Sequence, residues 1–173
     1  MNPVEIHLGH AGSFLLRGRI DRVDELGPGE FVVWDYKTGG TYGFKENRHL
    51  NAGRQIQHAL YAMAAERLLS SAEYKARVRR SGYFFPGPRG EGQRISKKQD
   101  VPATRTALKQ LFEILKRGSF LHAPDPEFCK FCEFQGVCDG PETAMQRARA
   151  KLECADPQNE ILKPIRSLLI DGS

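Results

Sequence analysis

Two strand-like runs flank a Gly-Pro-Gly turn near the start of this sequence, and they point to an antiparallel hairpin. Residues 13–23 (SFLLRGRIDRV) alternate apolar and polar side chains, and residues 31–37 (FVVWDYK) follow the turn ELGPGE. Side chains alternate across a strand. Phe14, Leu16, Gly18 and Ile20 therefore share one face of the first run, and Arg17, Arg19 and Asp21 share the other. In the second run Val33, Asp35 and Lys37 fall on one face, with Trp34 and Tyr36 opposite. A hairpin centred on Pro28 sets Asp21 across from Asp35, and directly opposed side chains lie about 5 Å apart at Cβ. Two carboxylates so placed repel, and a divalent cation between them removes the conflict.

Mg²⁺ and Mn²⁺ suit such a pair, because hard cations take oxygen ligands and keep waters that a phosphate can replace. Lys37, one pleat beyond Asp35, is placed to orient a metal-bound water or to stabilise charge developing on a phosphoryl group. The alternative is a solvated strand end with an ion pair worth ~0–1 kcal/mol.

The rest of the chain supplies helices and further strands. Residues 4–8 alternate as a first strand. Residues 53–70 carry Ile56, Leu60, Met63 and Ala64 at helical spacing. Gln57 and Tyr61 lie four apart, on one helix face. Residues 76–85 read as a strand, 93–95 as a short one, and 103–117 as a helix with Pro102 near its first turn and Gly118 beyond its end. A polar helix is expected from Pro141 to Glu153. The order β-β-β-α-β-β-α predicts an α/β fold, a mixed central sheet flanked by helices. The 173 residues suit one domain, with its core over 1–125 and a cysteine-rich loop and helical tail over 126–173.

A net charge of +5 permits a polyanionic partner without requiring one. Arg77, Arg79, Arg80, Arg89, Arg94, Lys97 and Lys98 lie close in sequence and are placed to track phosphates, or else to form a solvated charged face. No stretch approaches the ~18 apolar residues of a membrane span. The N-terminus lacks the regions of a signal peptide, so a cytoplasmic location is expected. In that compartment cysteines stay reduced. Cys129, Cys132 and Cys138 form C-x₂-C-x₅-C, a spacing that brings thiolates to one metal or cluster. Cys154 is either a fourth ligand or a buried thiol.

RGRIDRVDELGPGEFVVWDYKTGG followed by QIQHALYAMA resembles the RecB/AddB-type branch of the PD-(D/E)XK nuclease superfamily. That branch shows G-x-I-D-R-x-D, then D-Y-K-T-G, then a helix with Q-x-x-x-Y. The resemblance implies a restriction-endonuclease-like core and a Mg²⁺- or Mn²⁺-dependent deoxyribonuclease working in end processing, repair or recombination. It makes Asp21, Asp35 and the Tyr36 carbonyl metal ligands and Lys37 the catalytic lysine. Gln57 and Tyr61 would contact DNA or orient the lysine, and Thr38 and Gly39 would turn the chain away from the site. Arg17, Arg19, Arg79 and Arg80 would contact DNA, and a helicase would be the partner or parent chain. The family's cysteine trio joins an upstream cysteine around a [4Fe-4S] cluster. No cysteine precedes Cys129 here, so the fourth ligand is Cys154 or is missing, with zinc the alternative. The family also carries a preceding helix with a metal-binding His. The sequence begins at the first strand and reads as a fragment without that helix, and His7 and His10 lie too close to the strand to replace it. The rival readings are a catalytically inactive nuclease-fold DNA-binding or scaffolding module and a zinc-stabilised interaction domain.

Overall fold

A computed structural model describes residues 2–9, 12–44, 50, 55–118, 129, 132–154 and 162–166. Strands β1 (Val4–His7) and β2 (Ser13–Leu16) pair antiparallel as a two-stranded sheet. A four-stranded sheet follows in the order β3 (Arg22–Gly27), β4 (Glu30–Tyr36), β5 (Arg77–Phe85) and β6 (Gln93–Lys98). Its outer pairings are antiparallel, while β4 and β5 run parallel. A parallel pair needs a crossover, and helix α1 (Gln57–Leu69) lies within it. Helices α2 (Val101–Arg117) and α3 (Pro141–Cys154) follow. This is the mixed α/β architecture expected, a sheet flanked by helices.

The β3–β4 hairpin keeps the register predicted from its turn, from Arg22 opposite Trp34 to Glu25 opposite Phe31. Near the tip the register slips, pairing Gly27 with Glu30. Pro28 fixes its own φ, and Gly29 takes φ 77°, a value that glycine adopts without strain.

The run 13–23 does not form one strand. It ends as β2 at Leu16 and resumes as β3 at Arg22. β2 turns back onto β1, where the Leu8 amide bonds the Gly12 carbonyl at 2.8 Å. The intervening Gly18 faces the Tyr61 ring so closely that an added Cβ would stand 3.1 Å from Cε1.

Helix α1 lies on β4, β5 and β1. Its buried residues are His58, Ala59, Ala62, Ala64 and Ala65. Of the expected stripe only Ala64 is buried, while Ile56, Leu60 and Met63 are half-buried. Alanines let the helix backbone approach the sheet closely. The core cluster is Val33, Ala62, Ala65 and Val78, flanked by Ile20, Phe31 and Tyr61. Helix α2 starts earlier than its pattern suggested. The Asp100 carboxylate accepts the Ala103 amide at 2.9 Å, which supplies an N-terminal cap. β6 likewise runs past Ile95 to Lys98.

Backbone contacts divide the chain into two units, residues 1–109 and 110–169, with the division inside α2. In the second, Ala144 and Ala148 are buried on α3, and the Arg147 guanidinium pairs with Asp139 at 2.7 Å. His10 lies outside the described residues. Among the described residues no helix is long and apolar enough to cross a membrane.

Candidate active site

The end of β4 carries the acid and the lysine. Asp35 is 5% exposed, although β4 is only one residue from its end. It is buried because it lies on the face shared with Val33, under α1, with Tyr83 beside it on β5. Lys37 stays in line because its amide bonds the Phe84 carbonyl at 2.9 Å. Its ammonium lies 2.5 Å from Asp35 Oδ2. That contact is electrostatic, since no donor is aligned on this buried oxygen as a hydrogen bond.

Asp21 sits just before β3, one residue before the pair Arg22–Trp34. Its Oδ2 accepts the Tyr36 amide at 2.8 Å, so the two acidic residues are joined through one residue of β4. On α1, Gln57 Oε1 accepts from Lys37 Nζ at 3.3 Å, and Gln57 Nε2 donates to the Tyr61 hydroxyl at 3.1 Å. The structure thus brings Asp35, Lys37, Gln57 and Tyr61 into one chain of contacts, with Asp21 attached through Tyr36.

Tyr83 lies beneath the lysine, with Nζ 5.4 Å from its ring centre. Burial, and then the Asp35 carboxylate, push the Tyr83 hydroxyl well above its ordinary pKa, so it stays neutral. The D-x-K motif gave no hint of Tyr83. Its signal lies in the apolar end of β5, RVRRSGYFF, which aligns Tyr83 with Asp35 once the parallel pairing is set.

The Asp21 and Asp35 carboxylates with the Tyr36 carbonyl would offer a metal ion hard oxygen donors. One buried oxygen of that set lacks an aligned donor. This chemistry fits Mg²⁺ or Mn²⁺, which complete their shells with water and phosphate oxygens. Among the described residues no three His, Cys, Asp or Glu side chains are grouped to hold a metal ion, so the set rests on two carboxylates. His7 pairs with Glu5 on β1 and is not part of it.

Cys129, Cys132 and Cys138 are free thiols, Cys132 exposed. Among the described residues these thiols form no group of three that could hold a metal ion, and the Cys154 side chain lies outside the described residues.

The basic residues separate by their partners. Arg17 and Arg19 are exposed in the segment between β2 and β3. Arg79 occupies a bulge of β5 and is ion-paired with Glu30. Arg80 bonds the Ser96 hydroxyl and carbonyl, both neutral oxygens. Arg94 lies over the Phe84 and Trp34 rings, 4.8 Å and 5.7 Å from their centres. Lys97 cannot track a phosphate as expected, because it is 2% exposed.

The sequence of residues 1–139 matches the PD-(D/E)XK nuclease superfamily. The chain is also similar to the Gene 69 protein of Mycobacterium phage D29, 31% identical over 130 residues. That alignment covers 72% of this chain and 42% of the phage protein, so the chain spans less than half of its relative's length. No solved structure matches the chain. The family match takes in both strands of the hairpin, the acid–lysine end of β4 and the helix that holds the lysine, and on that match this chain belongs to the PD-(D/E)XK nuclease superfamily.

Proposed function

We infer that the chain is a divalent-metal-dependent deoxyribonuclease that hydrolyses phosphodiester bonds, processing DNA ends in repair or recombination. The observation that carries this reading is the buried Asp35 Oδ2, held against Lys37 with no donor aligned on it. The Lys37 ammonium offsets the buried charge, and a metal ion entering beside it would use the lone pairs that no aligned donor occupies.

Asp21, Asp35 and the Tyr36 carbonyl would hold Mg²⁺ or Mn²⁺. Bound there, the ion polarises a phosphoryl oxygen and lowers the pKa of a bound water. The protein's own part is orientation. Gln57 draws the Lys37 ammonium to one side, and Tyr61 fixes Gln57. Lys37 then places its charge where the phosphate becomes more negative, which is preorganised electrostatic stabilisation. Tyr83 remains protonated beneath it and supplies a neutral wall. Arg17, Arg19 and Arg80 offer charges for flanking phosphates, while Arg79 is already paired with Glu30. A helicase as partner or parent chain rests on the resemblance to RecB/AddB-type domains alone.

The deciding experiment incubates the protein and its Lys37→Ala variant with labelled DNA and Mn²⁺. Loss of the lysine is expected to slow cleavage by about 10²–10⁴-fold, the range for a positioned acid–base group. Undiminished cleavage by the variant would sink this mechanism. DNA binding without cleavage by the unaltered chain would favour the scaffolding module instead.

A further inference from the structure

Helix α1 carries Gln57 to Lys37, yet its start lacks the usual fastening. Ile56 is the N-cap residue, in helical conformation at φ −75°, and makes no side-chain cap bond. No acid lies in the first turn to meet the helix dipole. A helix start without these aids frays, and fraying here would release Gln57 and with it the lysine.

Two buried polar connections hold this end. Lys97, on β6, donates from Nζ to Gln55 Oε1 at 2.7 Å. Gln55 Nε2 in turn donates to the Gly43 carbonyl at 2.9 Å, and the Gln55 amide bonds the Leu50 carbonyl at 3.0 Å. Gln55 is 8% exposed and Lys97 2%. One strand over, Ser81 pairs with Lys97 across the ladder. Its hydroxyl meets His58 Nδ1 at 2.7 Å and also receives Gln99 Nε2. The residues on either side of Gln57 and Ile56 are therefore tied to β5 and β6.

We propose that Lys97 is a positioning residue of the nuclease, a buried clamp that fixes the start of α1 through Gln55 so that Gln57 meets Lys37. The consequence for catalysis rests on the nuclease reading above. The clamp itself does not. An apolar side chain of similar length could fill the space of Lys97, but it could not hold Gln55. A lysine whose role was only to stabilise the fold would show itself in global stability, and replacing a buried charge by an apolar group is often neutral or stabilising there. A clamp shows itself locally.

The test compares Lys97→Met, Gln55→Leu and the double variant of the full chain. Hydrogen exchange is read at the Ala59 and Leu60 amides, both bonded to the Ile56 carbonyl, with β3 amides as the internal reference. Each single variant is expected to lose about tenfold protection at Ala59 and Leu60 with β3 unchanged, and the double variant to lose no more. Cleavage is expected to fall about tenfold in kcat, with KM within about twofold, because Lys97 is two strands from the acid–lysine strand. Unchanged protection in both single variants would overturn the clamp. So would an equal loss in β3, which marks general destabilisation, or additive losses in the double variant. A loosened α1 with unaltered kcat would overturn the positioning role. If α1 loosens as expected but the unaltered chain cuts no DNA, the clamp stands and the nuclease reading fails.

Discussion

Asp35 is a buried charge whose Oδ2 faces the Lys37 ammonium without an aligned hydrogen bond. Asp35→Asn keeps the shape and removes the charge. It is expected to abolish cleavage, yet to leave the unfolding free energy from urea melts unchanged or raised by up to about 1 kcal/mol, since function and stability oppose each other at such sites. A midpoint that falls steeply would mean that the carboxylate supports the fold and not the chemistry. Lys97 gives a second residue-scale expectation. Burial lowers its pKa from 10.5 to about 8. Between those values the unfolded chain holds the proton and the folded chain does not, so this group's contribution to stability rises with pH across that window. Wild type should therefore gain on Lys97→Met between pH 8 and pH 10 in paired urea melts, and a difference flat in pH would refute the shift. The neutral amine can still donate to Gln55, so the clamp persists across the window. The contact between Asp35 and Lys37 was legible in the sequence because residues two apart on a strand share a face, though D-x-K alone is a weak signal and the Asp21 register and the ordered motifs carried the reading. Lys97 was not. The short strand foreseen at 93–95 stopped before it, and without β6 running to Lys98 nothing assigned its side chain to the buried face.

The elements were read well where one physical rule dominates. The hairpin register followed from a turn that only Pro28 and Gly29 could make, and it held over four pairs before the slip at the tip. It failed where two rules compete. The alternation of 13–23 suits one long strand, but the segment must serve β1 at its start and β4 at its end, and it breaks at 17–21 to do so. Helix α1 misled in another way. Its large apolar residues drew attention, while packing against a sheet at close range favours the alanines. Gly82 shows how tight the sheet itself is. A Cβ there would lie 2.1 Å from the Ile95 carbonyl oxygen and 2.7 Å from Ser96 Cα, both backbone atoms. Gly82→Ala should force β5 and β6 apart and cost about 3 kcal/mol or more, the upper range for overpacking. An unfolding midpoint within error of the wild type would contradict that geometry.

At the scale of the molecule, fold class and superfamily were legible because three short motifs in the right order specify both. The cysteine loop was not, since C-x₂-C-x₅-C constrains separation along the chain but not where the sulfurs point, and the described thiols form no metal-holding group. The parallel pairing of β4 with β5 has a consequence for how the molecule comes into being. The β3–β4 hairpin needs only its own turn, whereas the partners Glu30 and Arg77 must close everything between them, a slow step in folding. In pulse-labelling during refolding, β3 amides should be protected before the Lys37 amide, which waits for the Phe84 carbonyl. Simultaneous protection would indicate that the crossover forms with the hairpin. During synthesis the same order applies from the N-terminus onward. A nascent chain that has released Asp21 through Tyr61 but not yet β5 holds the acids, the lysine and the helix residues of the proposed site without Tyr83 or the Phe84 carbonyl, so on the nuclease reading it would be unable to cut until its sheet is closed.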